Sequence, residues 1–567
     1  MSTNMADTGV ENVVDEIRKI VSDEICNMGV EIDSKTLDIK KNNKELKRGD
    51  IIIPAGSVKL VDSRSESLQK QLLLQTEKKI KENNGLLKDV VQNKNCFLAF
   101  YFNRPKFCST VIKQIEELGS KYGFSKTKTG QEIFLNTVLE RSEKNKSNSC
   151  VNSLTDLRVS VVQCHLKKLL EANGYDVYPE TVSNPLSLLL ENSTSCDTKL
   201  GEISQSKSDN LGQDMDELSA HFVSKAKILC TEQLTDLDPN LNAEVDLDLQ
   251  KVIAEKNLYL GKEGFDKNLN KVKVLERGVP TWALESAIDI SRKIRHFTSK
   301  QNVGCLHIVP QNMAFRQQQV EILSMALCQQ QFIQAQLVVG PVTSKSKSEK
   351  CPDKAAQDFL RVRYEQMKEA SKMRSSSIFE DQSKQIEELT FASVIVDLLT
   401  NSVHTSLHLD TNGEEQDAET RQGAFIMYNT ARLATLMEHF NQGVSTGMYP
   451  PLPSVDNVDF SLLREEEDWE LVYLFLAAFP DVVRQAVEVV FPTGGRCSAK
   501  VHTHKITNFL VSFSTRLSAH YSRYHVLASG EPHLLPLMYA RLYLMKSAHQ
   551  LLVNCLHLIG VKALSYL

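Results

Sequence analysis

Toward one end of the sequence, the stretch RLSAHYSRYHVL (Arg516 to Leu527) sets Arg516, His520, Arg523 and His525 among Tyr521 and Tyr524, with no carboxylate between them. Guanidinium groups pair with phosphate oxygens, and phenol rings offer flat faces to other planar rings. The same pattern also suits a solvated helix that turns Tyr521 and Val526 toward a core, and the residues alone leave both readings open. From Arg496 to Leu567 there are eight Lys or Arg and a single acid, Glu531, a local balance of +7. The whole chain carries −5, which argues against a protein that coats nucleic acid everywhere, and LLREEEDWEL just upstream is acidic. Charge is therefore sorted along the chain, and its basic end reads as an electrostatic footprint for a polyanion.

Other residues that could do chemistry are sparse. His502 and His504 in VHTH, with Cys497 nearby, lack a fourth ligand at a zinc-like spacing. His307 on the apolar run CLHIVP reads as a core imidazole with its hydrogen bonds satisfied. GPVTSKSKS contains glycine and lysine but not the Gly-Lys-Ser/Thr order of a phosphate loop, and no nucleophile elbow occurs. Neither a metal nor a cofactor is expected. The twelve cysteines are scattered without a Cys-x-x-Cys pair, and no signal-like apolar segment follows Met1. Reduced thiols in the cytoplasm, with a nuclear fraction allowed, are the expectation. No apolar run reaches the roughly 18 residues of a membrane span.

At roughly 150 residues per domain, 567 residues suggest three or four domains. VENVVDEIRKIVSDEI has a helical pattern and RGDIIIPAG a short β run. CFLAFYFNRPKFCSTVIKQIEELGSKYG predicts a strand (97–102), a turn at Pro105 and a helix stopped at Gly119. LTDLRVSVVQCHLKKLLEANGYDVY predicts a helix capped by Thr155 or Asp156, ended at Asn173-Gly174 and followed by a strand over 175–178. Residues from about 190 to 250 are rich in Ser, Asn and Asp and read as a flexible insertion. CLHIVP (305–310) and QLVVGPV (336–342) flank the helical NMAFRQQQVEILSMAL, a parallel βαβ unit of a doubly wound sheet. From Asp381 onward the pattern is almost wholly helical, and the last helix, through Leu544, Leu551 and Leu558, stops at Gly560.

Several of these blocks resemble, in order, an arginyl-tRNA synthetase. VIVDLLTNSVHTSLHLD followed by GAFIMYNTARL is similar to that family's junction between catalytic and anticodon-binding domains, which typically ends in Gln-Tyr-Ala-His-Ala-Arg. Tyr428, Ala431 and Arg432 match, while Met427, Asn429 and Thr430 depart. LFLAAFPDVVRQAV, LSAHYSRYHVL and ARLYLMKSAHQLLVNCLHLIGV resemble successive helices of its DALR anticodon-binding domain. CFLAFYF, GVPTWALESAID and LHIVPQNMAFRQQQVEIL resemble its upstream elements, so the likeness covers most of the chain outside about 190–250. The family's His-x-Gly-His element, which binds ATP, corresponds to SLTDLR, where Leu157 and Arg158 match but Ser153, Thr155 and Asp156 stand in place of the two histidines and the glycine. The tail VKALSYL departs at Leu564, Tyr566 and Leu567 from the residues the family sets against the anticodon.

The resemblance implies a small α+β N-terminal region (1–125), an α/β body with a degenerate class I synthetase nucleotide-binding fold (126–400) and an all-α DALR-type anticodon-binding domain (415–567). It implies a tRNA-binding protein without adenylation chemistry. Arginine isoacceptors are the expected RNA, and the resemblance points to neither DNA nor a membrane. Such a binder would present its tRNA to a partner, an anticodon-loop modifying enzyme such as a methyltransferase. The implied RNA contacts are Tyr428, Arg432, Arg516, Tyr521, Arg523, Tyr524, His525 and Lys546.

Overall fold

The computed structural model describes residues 10–27, 37–42, 46–54, 73–79, 86–93, 96–139, 151, 153–179, 186, 224, 245–277, 279–297, 303–327, 332–344, 355–372, 380–411 and 422–564. The expected insertion is outside these residues up to 244, Ser224 excepted, and so are Tyr566 and Leu567 of the tail. The last part of that expectation is corrected. Residues 245–248 form a strand and 249–255 a helix, because Leu247 and Leu249 have a core to enter.

The N-terminal part comprises helix α1 (Val10–Asn27) and a sheet of β1 (Lys40–Lys41), β2 (Ile51–Pro54), β3 (Leu87–Asn93) and β4 (Cys96–Phe102) in the order β1-β2-β4-β3, all antiparallel. Helix α2 (Arg104–Leu118) follows, with Asn103 at its N-cap. Pro105 is within its first turn rather than in a separate turn, since the amide it lacks would have no helical partner there. Gly119 ends the helix as expected.

The body is built on β5 (Glu132–Thr137), α3 (Leu154–Ala172), β6 (Asp176–Tyr178), β7 (Val245–Asp248), α4 (Leu249–Glu255), β8 (Lys271–Glu276), β9 (Val279–Pro280), α5 (Trp282–Phe297), β10 (Val303–Pro310), α6 (Ala314–Leu327) and β11 (Ile333–Val339). Four strands, in the order β11-β10-β5-β6, pair in parallel, so the βαβ unit expected around α6 is present. Side chains alternate across the sheet. Ile133, Leu135, Leu306 and Ile308 join a core with α3, whereas Phe134, Val303 and Cys305 join a second core with α5 and α6. Helices thus cover both faces, as a buried parallel sheet requires.

The remainder is mainly helical: β12 (Val342–Ser344), α7 (Ala355–Lys372), α8 (Glu380–Leu399), β13 (Leu407–Leu409), α9 (Gln422–Ser445), α10 (Glu466–Glu470) continuing as a π-helical Leu471–Leu476, α11 (Phe479–Gln485), β14 (Val487–Val489), β15 (Lys500–Val501), α12 (His504–Arg523) and α13 (Leu535–Ile559). Gly560 closes α13 in the left-handed conformation, φ 86°, which a residue with a Cβ adopts only at a cost.

One continuous hydrophobic core runs from α1 and the N-terminal sheet through α3 to α9, α12 and α13. Asp50 joins its distant parts. Its carboxylate accepts from Trp469 Nε1 at 2.9 Å and from the Phe102 amide at 2.8 Å, and its carbonyl accepts from the Tyr473 hydroxyl at 2.6 Å. Phe102, Phe107, Trp469 and Tyr473 pack around it, and Trp469 and Tyr473 stack with ring centres 5.3 Å apart. Burial pushes the Asp50 carboxyl above its ordinary range, against the downward pull of these hydrogen bonds. On the other side, the His165 ring of α3 lies between the carbonyls of Leu558, 2.8 Å from Nδ1, and Thr503, 3.2 Å from Nε2.

Candidate nucleic-acid interface

Helix α9 presents Phe425, Tyr428 and Arg432 at spacings of three and four residues, hence on one face. Phe425 is 37% and Tyr428 41% exposed, while Ile426, Met427, Asn429, Thr430 and Ala431 between them are buried. The positions that depart from the synthetase motif therefore face inward. There Asn429 and Thr430 bond back to the carbonyls of Phe425 and Ile426. The matching Tyr428 and Arg432 face outward. The Arg432 guanidinium is 5.4 Å from the Tyr428 ring centre and 4.3 Å from that of Tyr521 on α12, so it lies against both rings. A guanidinium held this way keeps its orientation and leaves further planar surface for a base. Tyr521 is half-buried and packs against the core as well, so the two readings of its side chain meet in one residue.

The other face of α12 meets the acidic segment. Arg516, His520 and Arg523 recur at spacings of four and three residues, and α10 lies along them. His520 Nε2 and Asp468 Oδ1 are 2.7 Å apart and both residues are buried. Arg516 pairs with Glu470 at 3.4 Å and Arg523 with Glu467. The Tyr524 hydroxyl donates to Glu467 Oε2 at 3.1 Å. A hydrogen bond from its own amide, then the Tyr524 hydroxyl and the Arg523 charge, hold the Glu467 carboxyl below its ordinary range. Helix α10 is itself anchored: Arg104 grips Glu466 through both guanidinium nitrogens, at 2.9 and 3.0 Å, and lies over the Trp469 ring. Charge sorted along the sequence is thus paired in space. The +7 of the terminal stretch does not stand as one bare patch, because LREEEDWE folds onto it.

His525 is exposed, and its carbonyl accepts from Arg541 Nη1 at 3.0 Å. Arg541 also covers the Tyr524 ring at 5.1 Å. Lys546 stands apart from the other seven residues, paired with Glu116 of α2. Sequence reasoning missed Phe425 and Arg541 as members of this surface. The signal for Phe425 was its position three residues before Tyr428 on the same helical face; for Arg541 there was none.

At the start of α3, Ser153 is the N-cap, rather than Thr155 or Asp156. Its hydroxyl accepts from the Asp156 amide at 3.0 Å and Asp156 reaches back to the Ser153 amide, a reciprocal capping box. Thr155 Oγ1 accepts from the Val342 amide at 3.1 Å. Arg158 is fully buried, and its guanidinium donates to the carbonyls of Gly340, Ser402 and Thr405 at 3.0, 2.9 and 2.6 Å. Burial lowers its pKa to about 10. These side chains hold α3 to β12 and to the segment before β13.

His307 is a core histidine, as its apolar surroundings predict. Asn136 Nδ2 and Gln317 Nε2 lie 3.0 and 3.1 Å from its Nδ1, so both donate to it, and its Nε2 donates to Gln334 Oε1 at 3.1 Å. Burial lowers it to about 4, and that bonding suits the neutral ring. Beside it, Glu321 of α6 is fully buried, and burial raises its carboxyl to about 8 against a smaller downward pull from the Gln336 side chain. His307 Nε2 and Glu321 Oε1 are 3.8 Å apart; with each group held neutral, they do not form an ion pair. His502 pairs with Glu488 at 3.0 Å, and Cys497 is buried beside Gln318.

Residues 426–567 match the family described as the DALR anticodon binding domain. The chain is 32% identical over 316 residues to DALR anticodon-binding domain-containing protein 3 of Danio rerio, a match covering 55% of this chain and 54% of that relative. It is 26% identical over 448 residues to the Mus musculus protein of the same name, covering 74% of this chain and 77% of the relative. The structure superposes on Thermus thermophilus arginyl-tRNA synthetase with a TM-score of 0.56 at 12% identity, covering 98% of this chain and all of that one. The chain therefore carries a DALR anticodon binding domain on an α/β body with the fold of an arginyl-tRNA synthetase, and in sequence it is similar to DALR anticodon-binding domain-containing protein 3.

Proposed function

We propose that the protein binds tRNA without aminoacylating it. The helical domain holds the anticodon arm, of arginine isoacceptors first, and the body serves as a scaffold for a partner that modifies the anticodon loop, such as a methyltransferase. The observation that carries this reading is the Tyr428–Arg432–Tyr521 stack on the outer face of a DALR domain. Unpaired bases need planar faces to stack on, and their phosphates need cations beside them. Absence of adenylation is supported by Ser153, Thr155 and Asp156, whose polar groups cap α3 and bond to β12 in place of imidazoles that would stabilise charge on a transferred nucleotide.

The test is filter binding of an arginine tRNA and an unrelated tRNA, with Tyr428→Ala and Tyr521→Ala beside the wild type. Each substitution should remove a stacking face worth about 1–3 kcal/mol, with arginine tRNA losing more than the unrelated one. Wild-type affinity in both variants, with helicity intact, would remove RNA from this surface. Arginine-dependent ATP–pyrophosphate exchange above a no-enzyme control would instead favour an active synthetase. The modifying partner is tested by whether the tRNA-loaded protein, but not the free protein, retains a loop-modifying activity from extract.

A further inference from the structure

The carboxylates that meet the basic face of α12 do not all serve the same end. Asp468 and His520 are 2% and 1% exposed, and Asp468 also closes the first turn of α10. With Arg104–Glu466 and Trp469–Asp50, they fix α10 in place. Glu467 and Glu470 are different, because they reach Arg523 and Arg516, whose side chains are 64% and 58% exposed. Pairs this open are screened by water and contribute little to stability, so they can be exchanged without disturbing the anchor. Their geometry is also that of an anion site: the Glu467 carboxylate takes one bond from a guanidinium and another from the Tyr524 phenol. A phosphate has two acceptor oxygens to offer the same two donors.

We propose that Glu467 and Glu470 occupy, in the free protein, the places that RNA phosphates take on Arg523, Tyr524 and Arg516, and so act as built-in competitors. This rests on the tRNA-binding reading above. A backbone phosphate arriving there gains an arginine only by displacing a carboxylate, which then stays beside it on the fixed α10. Phosphate contacts alone therefore bring little net affinity, and an RNA must also stack on Tyr428 and Tyr521 to be retained. The carboxylates set a threshold that applies to every RNA alike.

The experiment uses the full chain with Glu467→Gln, Glu470→Gln, both together, and Glu467→Asp as a control that keeps the charge. Filter-binding salt titrations are run with an arginine tRNA and an unrelated tRNA, and folding is checked by circular dichroism. Each glutamine should tighten both RNAs by a similar factor, about two- to fivefold. The log–log salt dependence should steepen by up to about 0.7 for each arginine released, and Glu467→Asp should bind as the wild type does. A wild type that binds while the double variant keeps the same affinities and slope overturns the proposal and leaves the tRNA reading intact. Tightening confined to the arginine tRNA also overturns it, since a carboxylate that reads a base is not a competitor for phosphate. If neither wild type nor double variant, both folded, binds either RNA, the tRNA reading fails and takes this proposal with it.

Discussion

Glu321→Gln asks what a fully buried carboxyl does inside the core between β10, β11 and α6. An ordinary glutamate releases its proton near pH 4.5, whereas this one, fully buried, holds it to about 8 despite a smaller downward pull from Gln336. Between those two values the folded chain binds a proton that the unfolded chain has given up. The raised value therefore contributes stability that is complete below pH 4.5 and lost as the pH rises toward 8. The loss amounts to about 1.4 kcal/mol for each pH unit, so about 3 kcal/mol is gone at pH 7. Glutamine has the same shape and no proton to recover, and the Gln336 side chain that now acts on the carboxyl is at hand for it. Thermal unfolding of wild type and variant at pH 5, 7 and 8 would read the difference. The two should nearly coincide at pH 5, and the variant should melt several degrees higher at pH 7 and higher still at pH 8. A variant no more stable than wild type at pH 7, or a difference independent of pH, would refute the reasoning.

Two further outcomes follow from the start of α3. Arg158→Met should cost about 3 kcal/mol or more, because it leaves the carbonyls of Gly340, Ser402 and Thr405 without their donor in a buried site; a melting temperature near wild type would contradict this. Ser153→Ala should cost about 1 kcal/mol and speed amide exchange in the first turn of α3, while later turns of the helix stay protected.

Strands β6, β10 and β11 of the body were legible because they are short apolar runs bounded by Gly and Pro, and the helix between β10 and β11 can only return to the same edge, whereas β5, which pairs between β10 and β6, was not read. His307 was legible for a similar reason, since an imidazole on such a run has to bond inside the core. The cap of α3 was placed two or three residues late, because Ser153 and Asp156 are both good capping residues and only their mutual bonds decide between them. Residues 245–250 were hidden by composition: Asp246 and Asp248 lend a polar look to a strand whose Leu247 points inward. In the proposed RNA surface, Tyr428 and Arg432 were legible as neighbours one turn apart. The pairing of Arg516 and Arg523 with Glu470 and Glu467 was not, because nothing local links residues near 468 to residues near 520. The position of Lys546 against Glu116 is long-range for the same reason.

Asp50 has a consequence for how the chain is made. Its indole and phenol partners, Trp469 and Tyr473, leave the ribosome more than four hundred residues after it. Until then, the Asp50 carboxyl and the rings of Phe102 and Phe107 face water, or whatever holds the nascent chain. The N-terminal sheet therefore completes its folding only after Tyr473 has emerged. By the same contact, a fragment starting at residue 426 would expose a tryptophan face that the intact protein never shows, and would tend to aggregate.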